Sequence, residues 1–265
     1  MSTKTAGGAS VSLRGKVVLV TGARRGIGLA VAARAAQAGA EVIVHAREQA
    51  QAEAAARQIA GGTAVWGDLS TVEGVRAVIT AAGEMTGRLD GLVNNAGLAV
   101  VQPADAFSAE DWERQFAVNV RATFFACQAA LPYLRRSHNP AIVNISSLHA
   151  QTAVPGRAVY ATSKAAVDHL TRTLAVEWAP WRIRVNAVAP GFVRTEQVAH
   201  LLAREGARIE ARTPLGRVAE PDDVAAAVCF LLSPAARHIT GTVLRVDGGY
   251  LLYGGWEMPQ AAQGT

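Results

Sequence analysis

Seven short runs of β-branched and apolar residues alternate with longer alanine-rich stretches along this chain, and that alternation is its strongest constraint. The runs are KVVLVT (16–21), EVIVH (41–45), TAVWG (63–67), LDGLVN (89–94), AIVNIS (141–146), RIRVNAV (182–188) and TVLRVD (242–247). Helical stretches are expected at 26–38, 48–60, 71–87, 109–136 and 158–178, with a less regular helical region over 195–232. Strands that are apolar along their whole length are buried on both faces, as in a parallel sheet. Strand and helix in alternation require crossover connections. The predicted fold is therefore α/β: one doubly wound, about seven-stranded parallel sheet with helices on both faces.

The bulk numbers suit that fold. The 265 residues are half apolar and only 18% charged, enough to bury one large core. No Pro/Ser-rich linker divides the chain, so a single domain is expected over 13–250. Residues 1–12 are small and polar, read as a flexible start and not a signal peptide; residues 251–265 are read as a tail. No apolar run approaches the ~20 residues needed to span a bilayer. The two cysteines, Cys127 and Cys229, lack metal-type spacing and read as buried free thiols in a reducing, cytoplasmic setting. No metal site is expected. The net charge is +5, but the arginines are scattered and no basic stripe is interleaved with aromatics, so no nucleic-acid partner is expected.

The first strand feeds TGARRGIG (21–28), which opens a helix. Glycines allow positive φ and close approach of the backbone to a ligand. A helix amino end offers unpaired N–H groups to a diphosphate. Strand before and helix after make the spacing a dinucleotide signal. The second strand ends in Val44, His45, Ala46 and Arg47, without the carboxylate that holds a ribose 2′-hydroxyl. Arg47 and Arg25 of the glycine loop instead suit a 2′-phosphate, so NADP(H) is expected in preference to NAD(H); Arg24 beside them is a further expected cofactor contact. Asp68, after the third strand, is placed either to reach the adenine edge or to cap the helix starting near Thr71.

YATSK (160–164) places Tyr160 and Lys164 one helical turn apart on one face. A phenol ordinarily titrates near ~10. An ammonium ~4 Å away at an effective dielectric of ~20 stabilises a phenolate by about 4 kcal/mol, which would bring the tyrosine close to working pH. The expectation is that Lys164 makes Tyr160 a usable proton donor. Ser147 ends the fifth strand, where its hydroxyl can bond a substrate oxygen beside the phenol; spacing favours it over Ser146. NNAG (94–97) ends the fourth strand at the same sheet edge as the glycine loop. Asn119, polar in the apolar FAVNVRATFF, is either a satisfied core amide or part of this group. The excursion at 190–221 leaves a strand's carboxyl end, where open α/β sheets bind ligands, and reads as a substrate lid or a surface helical pair.

TGARRGIG, NNAG, Asn119, Ser147, YATSK and the PG of NAVAPGFVRTE together resemble the short-chain dehydrogenase/reductase family, over roughly residues 13–250. Within it the chain is most similar to the group of 3-oxoacyl-acyl-carrier-protein reductases and gluconate 5-dehydrogenases. The resemblance implies a Rossmann-type fold and a catalytic tetrad. Tyr160 gives its proton to the substrate carbonyl, Ser147 polarises that oxygen, Lys164 binds the nicotinamide ribose and lowers the tyrosine pKa, and Asn119 holds a water. It implies cofactor contacts from Gly22, Arg25, Gly26, Ile27, Gly28, Asp68, Leu69, Asn95, Ala96 and Gly97, and from Pro190, Gly191, Val193 and Thr195 at the nicotinamide end. Where the family commonly has ISS-x-x-G, this chain has ISSLHA, with Ala150 in place of the glycine. By analogy His149 faces the substrate, or else it is a rim histidine.

The expected activity is NADP(H)-dependent interconversion of a ketone and a secondary alcohol. A sugar-acid or polyol substrate is the alternative, with Gln151 and Gln197 as polar contacts; a non-catalytic dinucleotide sensor is the rival from another class. An acidic carrier protein would need a patch from Arg114, Arg121, Arg157 and Arg172. The resemblance also implies a homotetramer, and the aromatic tail with Tyr250, Tyr253 and Trp256 is expected to pack on a neighbouring subunit.

Overall fold

The structure, a computed structural model, describes residues 11–254. Most of the expected flexible start (1–10) and of the tail (255–265), including Trp256, lies outside the described residues.

The seven expected strands are all present: β1 (Val17–Val20), β2 (Glu41–Ala46), β3 (Thr63–Trp66), β4 (Gly91–Asn94), β5 (Ala141–Ile145), β6 (Arg184–Pro190) and β7 (Val243–Val246). They form one parallel sheet in the order β3-β2-β1-β4-β5-β6-β7. The chain winds outward from β1 to β3, then returns to the other side at β4. That reversal sets a crevice at the carboxyl ends of β1 and β4, where neighbouring connections leave in opposite directions.

Alternation along each strand builds two cores. Val18 and Val20 face one side of the sheet, beneath α1 (Gly26–Gln37) and α8 (Pro221–Leu232). Val17 and Leu19 face the other, beneath α3 (Val72–Thr86) and α5 (Ala122–Leu134). Cys127 and Cys229 are free and buried, one in each core.

Helix ends follow local chemistry. The Thr71 hydroxyl accepts the Gly74 N–H at 3.1 Å at the start of α3, and left-handed Gly87 closes it. Thr71, not Asp68, therefore caps this helix. Ser108 caps α4 (Ala109–Phe116) in the same way. Pro221 and the reciprocal Glu220–Asp223 pair start α8, and the buried Arg184 guanidinium donates to the Leu231 carbonyl at its end. Besides α2 (Gln49–Ala56), two further helices matter for the site. The long α6 (Ala158–Glu177) carries Tyr160 and Lys164, and α7 (Ala199–Arg212) lies in the excursion after β6.

The expected helix over 109–136 differs in one respect. Between α4 and α5 it widens into a π-turn, Ala117–Arg121, centred on Asn119. Such turns insert an extra residue and shift what faces inward, and they recur at functional sites. At the start of the tail segment, Tyr250 has partners within the chain. The Tyr250 ring lies 5.2 Å from that of Phe192, with the Arg212 guanidinium 4.8 Å from its centroid, so Tyr250 packs within its own chain. Among the described residues no helix is long and apolar enough to cross a membrane.

Candidate active site

The carboxyl ends of β1, β2, β4, β5 and β6 open into one cleft of about 880 Å³. At one end stands the glycine loop, with positive φ at Gly22 (62°) and Gly26 (57°). A Cβ on Gly22 would sit 2.8 Å from the Ala96 Cα; one on Gly28 would collide with Nδ2 of Asn95 and lie 2.6 Å from the Gly22 carbonyl oxygen. The loop therefore closes on the NNAG turn as only glycine permits. Asn95 braces it, donating to the carbonyls of Thr21 and Gly22 at 2.9 Å each.

The amino end of α1 has no side-chain cap and no acidic residue in its first turn. Its free N–H groups and dipole thus remain available to an anion. This fits a dinucleotide diphosphate. Gly22, Arg24, Arg25, Gly26, Ile27 and Gly28 line the cleft here; Arg47, Asp68, Leu69, Asn95, Ala96 and Gly97 continue it. The Asp68 carboxylate accepts from the Ser70 N–H and hydroxyl, which holds it below the usual carboxylate range. The cations expected to clamp a 2′-phosphate are already engaged: Arg25 pairs with Glu196 at 2.7 Å, Arg47 with Glu48 at 3.6 Å.

Sequence reasoning gave no role to His45, though it is a lone imidazole at the end of an apolar strand. Its Nδ1 accepts the Gly22 N–H at 3.1 Å, which fixes the tautomer, so Nε2–H donates to the Gly67 carbonyl, also at 3.1 Å. Burial pushes its pKa down, against the pull of the Gly67 carbonyl. The ring ties β2 to the glycine loop and to the turn after β3.

At the other end, Tyr160, Lys164 and Ser147 line the same cleft. Lys164 Nζ lies 5.9 Å from the Tyr160 ring centroid and donates to the Ile145 carbonyl at 2.8 Å. Burial pulls this ammonium down to about 8, opposed by Asp168. The Tyr160 pKa is raised, not lowered: burial pushes it up against the Ser147 hydrogen bond and the Arg157 charge. The expectation that Lys164 brings the phenol to working pH is thus corrected. Desolvation of the ring outweighs the Ser147 hydrogen bond and the Arg157 charge.

Asn119 does not line the cleft. Its amide bonds the N–H and carbonyl of Leu98 at 2.8 and 2.9 Å and the Ser163 hydroxyl at 2.9 Å. Asn119 Oδ1 and Lys164 Nζ both flank Gly97, each 3.5 Å from where a Cβ on it would stand. Pro190, Gly191, Val193, Thr195, Gln197 and His149 all line the cleft. Gln151, expected as a substrate contact, does not: it is exposed, and its amide bonds the buried Asp168 carboxyl and favours its ionised form.

His149 is only 8% exposed, and its Nδ1 has no partner among the described residues. Burial and the Arg157 charge push its pKa down to about 4, so it is neutral. Its ring stands edge-on to Tyr160 and to Phe192, at 6.3 and 6.2 Å. Phe192 and Arg157 line the cleft without having been singled out as cleft residues. Their signals in the sequence were position alone, directly after the PG turn and three residues before Tyr160.

The sequence model described as Enoyl-(Acyl carrier protein) reductase matches residues 22–251. The chain belongs to the short-chain dehydrogenase/reductase family. It is similar to 3beta-hydroxysteroid dehydrogenase 1 of Eggerthella lenta, 43% identical over 94% of this chain and 98% of that protein. It is 40% identical to the cyclopentanol dehydrogenase of Comamonas testosteroni, over 89% and 96% of the two chains. Its fold is similar to that of a gluconate 5-dehydrogenase from Burkholderia cenocepacia solved with NADP and tartrate (TM-score 0.88, 34% identity, 92% and 98% of the chains). This family member is an oxidoreductase of alcohol and ketone groups that uses a nicotinamide dinucleotide. Among the described residues no cluster of His, Cys, Asp or Glu could hold a metal ion.

Proposed function

We propose that this chain is an NADP(H)-dependent oxidoreductase that reduces a ketone to a secondary alcohol, or runs the reverse, with Tyr160 as the proton donor. The observation that carries the reading is that Tyr160 and Lys164, one turn apart on α6, open with Ser147 into the cleft that the glycine loop closes at its far end. When bound, the nicotinamide supplies or accepts the hydride. Ser147 holds the substrate oxygen beside the phenol, and Tyr160 gives that oxygen a proton. At neutral pH the phenol holds its proton, as an acid must before it donates. Lys164 and the Arg157 guanidinium favour the phenolate left behind. Asn119 anchors the π-turn and the loop at Leu98, and so positions Lys164.

Arg24, Arg25 and Arg47 at the phosphate end, and the absence of a carboxylate from the tip of β2, support NADP(H) over NAD(H). A small-molecule substrate is favoured over a carrier protein, because Arg114 is paired with Asp111 and Arg121 donates to the Ser70 carbonyl. The excursion over 190–221 acts as the lid, since Thr195, Glu196, Gln197 and Leu201 overhang the cleft. Assembly as a homotetramer is supported by the exposed Trp112, Phe124 and Val176 on α4, α5 and α6. The free buried cysteines suit the cytoplasm.

The test is a panel of cyclic ketones, keto acids and sugar acids followed by NADPH absorbance and repeated with NADH. Turnover favouring NADPH and abolished in Tyr160→Phe is expected. No turnover on any ketone, or full activity in that variant, overturns the reading.

A further inference from the structure

Arg157 immediately precedes α6, and its guanidinium carbon lies 5.8 Å from the centroid of the Tyr160 ring. It lines the cleft beside Ser147, His149 and Tyr160. The other arginines of the cleft outside the glycine-loop pair have carboxylates of their own: Arg47 has Glu48, and Arg114 has Asp111. Within that pair, Arg25 has Glu196. Arg157 has no ion pair and no side-chain hydrogen bond among the described residues, although it is half-buried. Arg24 is also unpaired, but it belongs to the glycine loop at the phosphate end.

No carboxylate that lines the cleft is left without a partner, and the buried Asp168 near Lys164 does not line it. The two carboxylates that line it are Asp68, bonded to Ser70, and Glu196, paired with Arg25. A guanidinium with one face against a ring is partly dehydrated and keeps its N–H edge free. That edge matches a carboxylate, which can take two parallel hydrogen bonds. Phe192, on which Tyr250 packs, and the neutral His149 also line the cleft and offer apolar surface for the rest of a ligand.

We infer that Arg157 is a substrate-recognition residue, and that the substrate is a keto or hydroxy carboxylic acid whose carboxylate meets this guanidinium while its carbonyl meets Tyr160. This rests on the reading of the cleft as a carbonyl-reducing site. It narrows the substrate to an anion with a compact carbon body, and it assigns the anion's contact to a residue outside the Asn119–Ser147–Tyr160–Lys164 group.

The test compares 3-oxocyclopentane-1-carboxylate with its carboxamide, which match in size and differ in charge. Both are followed for turnover with NADPH and for calorimetric binding to the NADP-loaded protein. The wild type is expected to prefer the carboxylate about 10- to 100-fold, the range of a hydrogen bond to a charged group. Arg157→Met should bring the carboxylate-to-carboxamide ratio close to one, and Arg157→Lys should restore part of it. The ratio is the readout, so a change in overall rate through Tyr160 does not count. NADPH binding by Arg157→Met shows that the variant is folded. Equal binding of the two compounds by the wild type, or a ratio that survives Arg157→Met, overturns the inference. If the wild type binds the carboxylate selectively yet reduces neither compound, the inference stands and the reaction assignment is what fails.

Discussion

The backbone N–H of Gly22 donates to Nδ1 of His45 at 3.1 Å. A side chain at the end of β2 thereby holds the first glycine of the loop that the cofactor must approach. Because the opposite nitrogen donates to Gly67, one ring sets the spacing of three segments around the dinucleotide end.

Replacing His45 by Leu removes both bonds and keeps the apolar bulk. The Gly22 N–H is then left without its acceptor, at about 1–3 kcal/mol. The expected result is a lower melting temperature and NADPH binding weakened by about tenfold, with the kcat at saturating cofactor little changed. Fluorescence titration of NADPH against both proteins checks it; a kcat loss with unchanged affinity would contradict the positioning role.

Acid should loosen the fold through His45 and His149. Both are held below the ordinary histidine value of ~6.5, His149 down to about 4. Between those values the unfolded chain binds protons that the folded chain refuses. Their contribution is therefore complete above pH ~6.5 and is lost as pH falls, His149's share being gone by about 4. Urea midpoints measured across this window should decline toward acid. His149→Phe should flatten the decline, and an unchanged slope in that variant would show that His149 takes up its proton without cost.

Much of this molecule was legible from residue pattern. All seven strands stand where β-branched runs stood; β1, β4, β5 and β6 are buried along their whole length, and a strand buried on both faces leaves an unbroken apolar signature. Of the cleft residues named for cofactor contact, every one lines the cleft, since glycine spacing, strand ends and the PG turn are local signals. What escaped is tertiary. The π-turn at Asn119 has no period of its own. Gln151 bonds Asp168, a partner seventeen residues away that only the fold brings beside it. The Tyr160 pKa moved opposite to expectation because pair geometry can be read from i, i+4 spacing and desolvation cannot.

That reversal has a measurable consequence. In the protein without cofactor, Tyr160 should ionise above the usual phenol range, so alkaline ultraviolet titration should lose a late step, not an early one, in Tyr160→Phe. The same variant should lose turnover by about 10²- to 10⁴-fold, the range for a positioned acid, with NADPH affinity retained. A tyrosinate step near neutral pH that vanishes with Tyr160 would show the lysine prevailing after all.

Arg25 and Glu196 supply the last prediction. Arg25 sits in the glycine loop and Glu196 in the short turn before α7, and their 2.7 Å pair spans the mouth of the cleft. Both side chains are largely exposed, so the pair is worth little to stability, about 0–1 kcal/mol. Its effect on ligand choice is larger, because a 2′-phosphate seeking Arg25 must displace a carboxylate that repels it. Glu196→Gln removes the competitor and leaves the guanidinium free. NADPH affinity should rise by about 3- to 10-fold and NADH affinity should stay within about twofold, since a 2′-hydroxyl has no charge to offer. Arg25→Ala should move the ratio the other way. Because the competing terms are ionic, the gain should shrink as salt rises from ~0.05 to ~0.5 M. Steady-state kinetics with each cofactor at both salt concentrations tests this: an equal gain for NADH in Glu196→Gln would mean that the carboxylate acts by closing the lid and not by occupying the phosphate's cation.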